Sequence, residues 1–340
     1  MRLLSFAALL LAGCATTSAP VAVEAPTVAA TTETDPVDTA ADAADDPAIW
    51  RNASDPAKSL VIGTDKKAGI HVYSLTGKRL SFTPAAGLNN VDLRDLGTRV
   101  IAAASDRADI ATAHVSLFTL DTAAAKLVPL GRFPVGPGEA YGMCLWTRAR
   151  DHALFGFVVL KDGRIDQVAI DLSGAAPKVT TVRSMKLGTQ SEGCVVDDRT
   201  GQLYVAEEDV GLWRFDADPS APVTATAIAK VDGKTLVADA EGLALAPSGR
   251  NGGYLVVSSQ GDNAYTLYRL PGVAYAGRFR IGGGAIHGTS DTDGIELILG
   301  NFGPAYPQGL FVAQDGDNAP ATQNFKYLSW AGVKRALKLR

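Results

Sequence analysis

An acidic residue leading straight into a short apolar strand recurs along this chain about every 50 residues, and that spacing restricts the available folds more than any other feature. The recurrences are Asp45-Asp46-Pro47-Ala48-Ile49-Trp50, Val91-Asp92-Leu93, Glu139-Ala140-Tyr141-Gly142-Met143-Cys144, Glu192-Gly193-Cys194-Val195-Val196, Glu241-Gly242-Leu243-Ala244-Leu245 and Asp293-Gly294-Ile295-Glu296-Leu297. Each is followed by a second strand ending in polar residues, over residues 60–67, 100–107, 157–162, 205–208, 255–260 and 310–315. A third, amphipathic strand follows in several units, as at residues 70–73, 212–215 and 265–268, and helical periodicity is absent. Such units hide their edges only by packing radially on one another, so the expected fold is all-β, a six-bladed β-propeller. The last unit runs out at its third strand, residues 325–330. Residues 37–44, or the segment before them, are expected to supply its missing outer strand.

The stretch from residue 190 to 209 shows what this repetition does to charge. It reads as two strands joined by an Asp/Gly turn, so the start of the first and the end of the second share one edge of the sheet. Glu192 therefore meets Glu207 and Glu208. Applied to every unit, the same logic gathers Asp46, Asp92, Glu192, Glu207, Glu208, Asp239, Glu241, Asp291, Asp293 and Asp315 at one mouth of the central channel, with the cations Lys66, Lys67, Arg107 and Lys161. Carboxylates crowded in this way need a counter-charge. Oxygen ligands with no clustered His or Cys select Ca²⁺, which accepts about 6–8 oxygens in irregular geometry. A single Asp in a turn is accounted for by solvation. Glu192, Glu208, Glu241 and Asp293 at matching points of successive units point to a bound metal.

A formal charge of −4 over 340 residues gives no reason to expect nucleic-acid binding. The first residues carry one positive charge, a short apolar run and small residues before a cysteine, which is an export signal too short to span a membrane. Leu11-Ala12-Gly13-Cys14 resembles a bacterial lipobox, so residues 1–14 read as a lipoprotein signal with Cys14 as the lipidated residue. The protein is expected to be exported and anchored to the cell envelope through lipid alone, or secreted. Residues 15–34, rich in Ala, Thr, Val and Pro, read as a flexible tether to a folded body over residues 35–340. Cys144 and Cys194 lie in apolar strands, where a disulfide and buried free thiols are both open.

Motifs of other chemistries are missing: there is no Gly-x-Ser-x-Gly elbow, no His-Glu-x-x-His and no phosphate loop. In contrast, Asp42-Ala43-Ala44-Asp45-Asp46-Pro47-Ala48-Ile49-Trp50 resembles the signature of the β-propeller phytases, calcium-dependent phosphatases of the alkaline, 3-phytase type. The likeness continues through Asp65-Lys66-Lys67-Ala68-Gly69, Ala103-Ala104-Ser105-Asp106-Arg107, Ala206-Glu207-Glu208-Asp209, Asp239-Ala240-Glu241-Gly242, Ser258-Ser259-Gln260-Gly261, Gly288-Thr289-Ser290-Asp291-Thr292-Asp293-Gly294 and Gln323-Asn324-Phe325-Lys326.

The resemblance implies hydrolysis of phytate, inositol hexakisphosphate, with several Ca²⁺ ions. By motif, Asp46 and Asn324 fall at structural calcium positions, with Gln260 a further ligand. Glu192, Glu208, Asp239, Glu241, Asp291 and Asp293 fall at the calcium centre, and Asp162 stands where the family often has Glu. Lys66, Lys67, Arg107, Tyr141 and Lys161 fall where substrate phosphates are gripped. Lys66, Arg107, Tyr141, Lys161, Glu192, Glu208 and Glu241 are the expected catalytic set. His287 stands where an Asp ligand is usual, which weakens one calcium contact. Direct attack on phosphorus by metal-activated water is expected, since no side-chain nucleophile has a visible base, and a monomer is expected. The competing readings are a calcium-dependent lactonase-type propeller, and a non-catalytic propeller using calcium to bind a partner.

Overall fold

The second strands read as unbroken apolar runs because both of their faces are covered. Val100–Asp106 and Leu154–Leu160 are buried at every residue, whereas the outermost strand Lys178–Lys186 alternates toward solvent. In the computed structural model, which describes residues 22–339, these strands form six antiparallel sheets. The innermost strands are Ala44–Trp50, Leu88–Asp95, Ala140–Thr147, Ser191–Asp197, Ala240–Ser248 and Ile295–Leu299. Each packs against the next and the sixth against the first, so the ring is closed. A separate apolar core lies at each of the six blade interfaces. The sixth interface joins Ile49, Val61 and Tyr73 of blade one to Leu310, Val312 and Phe325 of blade six.

Closure uses the N-terminal segment, as expected, but draws on the part read as a tether. Thr32–Glu33 pairs antiparallel with Asn324–Ser329 as the outer strand of blade six. Thr27–Val28 adds a parallel fifth strand to blade five, beside Ala274–Ile281. Despite its Ala- and Thr-rich composition this segment is held on the blades, with Ala25, Val28 and Thr34 buried. The signal, Cys14 and the first part of the tether lie outside the described residues.

Two further features settle points the sequence left open or missed. Cys144 and Cys194 form a disulfide that joins the innermost strands of blades three and four. A short helix, Trp330–Ala336, ends the chain and buries Trp330 and Val333 in the core between blades five and six. At seven residues it is too brief to show a helical period.

Candidate active site

The innermost strands are not regular at their start. In blades one to five the pairing with the second strand slips by one residue: at Ala44/Pro47, Leu88/Val91, Ala140/Gly142, Ser191/Cys194 and Ala240/Leu243. Each slip is a β-bulge that turns one side chain toward the channel axis. The residues so turned are Asp45, Asn89, Tyr141, Glu192 and Glu241, and Asp293 holds the matching place in blade six.

In four blades the next residue is glycine, and the reason is close approach. A Cβ on Gly142 would collide with the carbonyl of Glu192, one on Gly193 with that of Glu241, one on Gly242 with that of Asp293, and one on Gly294 with that of Asp45. The glycines thus let neighbouring blades come together so that the inner residues converge. Gly242 N donates to Asp293 O (2.8 Å) and Gly294 N to Asp45 O (3.1 Å), stitching that inner layer together.

A second layer surrounds it. The residue after each second strand donates its backbone N–H to the loop that enters its own innermost strand: Lys66 to Ala43 O, Arg107 to Gly87 O, Lys161 to Glu139 O, Glu208 to Gln190 O, Gln260 to Asp239 O and Gly316 to Ser290 O. The two layers divide the mouth by charge. The cations all come from blades one to three, as Lys66, Arg107 and Lys161, beside the blade-one carboxylate Asp45 and with Arg107 paired to Glu139 at 3.3 Å; blades four to six contribute Glu192, Glu208, Asp239, Glu241 and Asp293. The guanidinium of Arg107 and the ammonium of Lys161 lie 5.3 Å and 5.0 Å from the centre of the Tyr141 ring, a cation–π arrangement that presents both charges at one spot. Lys66 Nζ is held by Asp42 (2.8 Å), Asp45 (3.0 Å) and Asp293 (3.1 Å).

The acidic half is tight. Glu192, Glu208 and Glu241 each place a carboxylate oxygen within 4.8 Å of the others, and all three are buried. At that separation two full charges repel by about 3 kcal/mol or more with an effective dielectric near 20. Burial, reinforced by Asp45 and Asp293, pushes the Glu192 carboxyl well up, and burial with Glu192 does the same to Glu241. Burial raises Glu208 to about 7 and, with Asp45 adding to it, Asp293 to about 8. Burial opposes the charge on Lys66, but Asp45, Asp293 and Asp42 outweigh it and keep the ammonium charged. Glu208 Oε1, Glu241 Oε2 and Asp45 Oδ2 are buried with no hydrogen-bond partner, which suits oxygens directed at a cation. The cavity above them measures about 550 Å³, and Lys66, Tyr141, Glu208, Asp239, Glu241, Gln260, Asp291 and Asp293 all line it.

A family model described as Phytase matches residues 1–339. The chain belongs to the phytase family. It is 42% identical over 329 residues to the 3-phytase of Bacillus subtilis (strain 168), covering 91% of this chain and 85% of that protein. A solved structure titled Crystal Structure of Mitotic Checkpoint Complex superposes with a TM-score of 0.51 at 13% identity, over 95% of this chain and 87% of that one. That likeness speaks to fold alone.

In this phytase-family chain several expected residues lie away from the mouth cluster. Lys67 is exposed in the turn after its strand, with its backbone N–H bound to Asp65. Asp162 is exposed too and faces Lys186 at 3.5 Å. Asp46, one residue past the inner layer, accepts from Val91 N (2.9 Å) in the channel wall. Glu207 accepts from Thr189 N (2.7 Å) and Trp213 Nε1 (2.6 Å) within blade four. Asp92 lies at the opposite opening, paired with Arg94 at 2.7 Å and lining a cavity with Glu296. Asn324, Asp315 and His287 gather instead where the ring closes. Asp45, Asn89 and Asp42 were missed. Asn89 Nδ2 donates to Glu192 Oε1 at 2.8 Å. Asp46 and Asn90 stand where the other four blades have that glycine, so no shared residue type in the sequence singles out Asp45 and Asn89.

Proposed function

We propose that this chain is a calcium-dependent phytase that releases inorganic phosphate from inositol hexakisphosphate, as the name of its 3-phytase relative suggests. The observation that carries the reading is the divided mouth: three cations on one side and a buried carboxylate cluster with unpartnered oxygens on the other. A polyanionic substrate fits the first half, and hard divalent cations fit the second. Bound there by Glu192, Glu208, Glu241, Asp239 and Asp293, calcium would neutralise the carboxylates and activate water for attack on phosphorus.

The chain's own residues supply the remaining functions. Arg107 and Lys161, aligned by the Tyr141 ring, grip phosphoryl oxygens and stabilise charge that builds on them in the transition state. Lys66 serves the same end from blade one. Gln260 Nε2 donates to Asp293 Oδ1 (2.8 Å) and fixes that carboxylate's orientation. Among the described residues lining the cavity there is no Ser, Cys or His, so direct displacement by water is favoured over a phosphoenzyme. A lactonase would have no use for the three cations. Export and lipid attachment at Cys14 are proposed alongside, and among the described residues no helix is long and apolar enough to cross a membrane.

Phosphate release from phytate, measured with added calcium and with excess chelator, tests the reading. Activity that depends on calcium supports it, and full turnover in chelator would overturn it.

A further inference from the structure

Blade two brings neither a carboxylate nor an aromatic ring to the inner layer. It brings Asn89, whose side chain is wholly buried. Asn89 Nδ2 reaches past blade three and donates to Oε1 of Glu192 in blade four at 2.8 Å. The amide of Asn90, with its nitrogen turned inward, approaches the same oxygen at 2.7 Å and Tyr141 O at 3.0 Å. Glu192 thus accounts for one end of the Asn89 side chain. The other end has no such account: Oδ1 is buried without a hydrogen-bond partner, a condition that costs about 1–3 kcal/mol and that leucine, close in size, would not carry.

At this mouth the buried oxygens left without partners belong to Glu208, Glu241, Asp45 and Asn89, and Asn89 alone among them is uncharged. An amide oxygen is a suitable calcium ligand, and it completes a coordination shell without adding to the repulsion among carboxylates that already lie within 4.8 Å of one another. Aspartate in its place would set one more negative charge against Glu192. The nitrogen has a separate task, since a carboxylate that binds a metal keeps its orientation through a hydrogen bond from a neighbouring group. Nδ2 and Oδ1 share one rigid amide plane, so the bond to Glu192 also fixes where Oδ1 points. We propose that Asn89 is a member of the calcium centre, holding Glu192 through Nδ2 and offering Oδ1 to the ion as a neutral ligand. This rests on the calcium-binding reading of the mouth.

Calorimetric titration of the full chain with calcium, starting from chelated protein and without substrate, tests it. Glu192→Gln, titrated alongside, marks which binding events belong to the mouth. Asn89→Leu is expected to weaken those events about 10-fold or more and to leave the others within about twofold of the parent. In the double variant the two losses should fall short of additive, because both act on one ion. Mouth affinity unchanged within about twofold in Asn89→Leu, or full additivity in the double variant, would overturn the proposal. A purely structural role lowers the melting temperature in chelator and leaves the calcium affinity of the folded protein as it was, which is the same adverse result. Should Asn89→Leu not fold, Asn89→Ser replaces it, being too short to reach Glu192 and small enough to admit water; the same weakening supports the proposal and parental affinity overturns it. A parent that binds no calcium at the mouth would remove the proposed function together with this inference, whereas a parent that binds it no better than the Asn89 variants would remove this inference alone.

Discussion

Replacing Glu208 by Gln should strengthen the calcium-free protein and disable the calcium-loaded one. Without metal, Glu208 shares its site with Glu192 and Glu241, and burial holds its carboxyl at about 7 instead of 4.5. A carboxyl raised in this way binds its proton more tightly folded than unfolded. Its contribution is complete below the unfolded value of 4.5 and is lost as pH rises through about 7. Once both states are ionised the loss amounts to about 3 kcal/mol, reduced to about 2 kcal/mol by solvent at the open mouth. For a chain of this size that corresponds to about 3 °C in Tm. At pH 8 in chelator, Glu208→Gln should therefore melt about 3 °C above the parent, and its stability should vary less between pH 4.5 and 7. With calcium the order reverses, because the variant has lost a ligand and gains less from the ion. Phosphate release should drop about 100-fold or more. Thermal unfolding over a pH series, with and without calcium, checks both signs. A variant less stable than the parent in chelator would refute the account of Glu208 as a strained metal ligand.

Lys161→Gln and Arg107→Gln should each lower turnover about 100-fold with little change in Tm, as measured by phosphate release beside a melting curve, because each group meets charge that develops in the transition state. The double variant Cys144→Ser, Cys194→Ser opens a loop of 50 residues between blades three and four. Chain entropy puts the cost near about 4 kcal/mol, visible in denaturant unfolding as a lower midpoint. Gly193→Ala drives a Cβ against the Glu241 carbonyl. It should cost about 1–3 kcal/mol and, if the proposed calcium centre is right, reduce calcium affinity in titration calorimetry, since it spreads Glu192 and Glu241, two glutamates of the buried cluster.

Much of the architecture was legible because its cause is local. Apolar runs buried on both faces, as in Leu154–Leu160, and polar strand ends at a fixed interval mark a blade whatever surrounds it. The acidic centre at Glu192, Glu208 and Glu241 followed from the same repetition, since antiparallel pairing brings Glu192 to Glu208 and the radial packing of blades sets Glu241 of the next blade against them. What the sequence concealed was register. Acidic identity was used as the marker, which aligned Asp46 and Asp92 with Glu192, whereas the bulge geometry aligns Asp45 and Asn89 with it. Close approach dictates a glycine after the inner residue in blades three to six, but Asp46 and Asn90 stand there in blades one and two, so neither charge nor glycine marks every blade. Lys67 and Asp162 misled for a related reason: each follows a mouth residue, Lys66 or Lys161, by one, and at a strand end one residue is enough to point a side chain the other way. The cluster in which Lys326 bonds Glu33 was beyond reach, because it joins residues nearly 300 apart and depends on which segment closes the ring.

The ring's fastening joins residues 32–33 to residues 326–327. Thr32 and Glu33 leave the ribosome long before Lys326 exists. The partially made protein must therefore carry an unpaired leading strand while five blades accumulate behind it. Contacts of such long range are slow to form, and the torus can lock only once the strand Asn324–Ser329 has emerged. A chain cut short by even a few dozen residues would thus be an open crescent with two exposed edges, vulnerable to proteases and to pairing with its own kind.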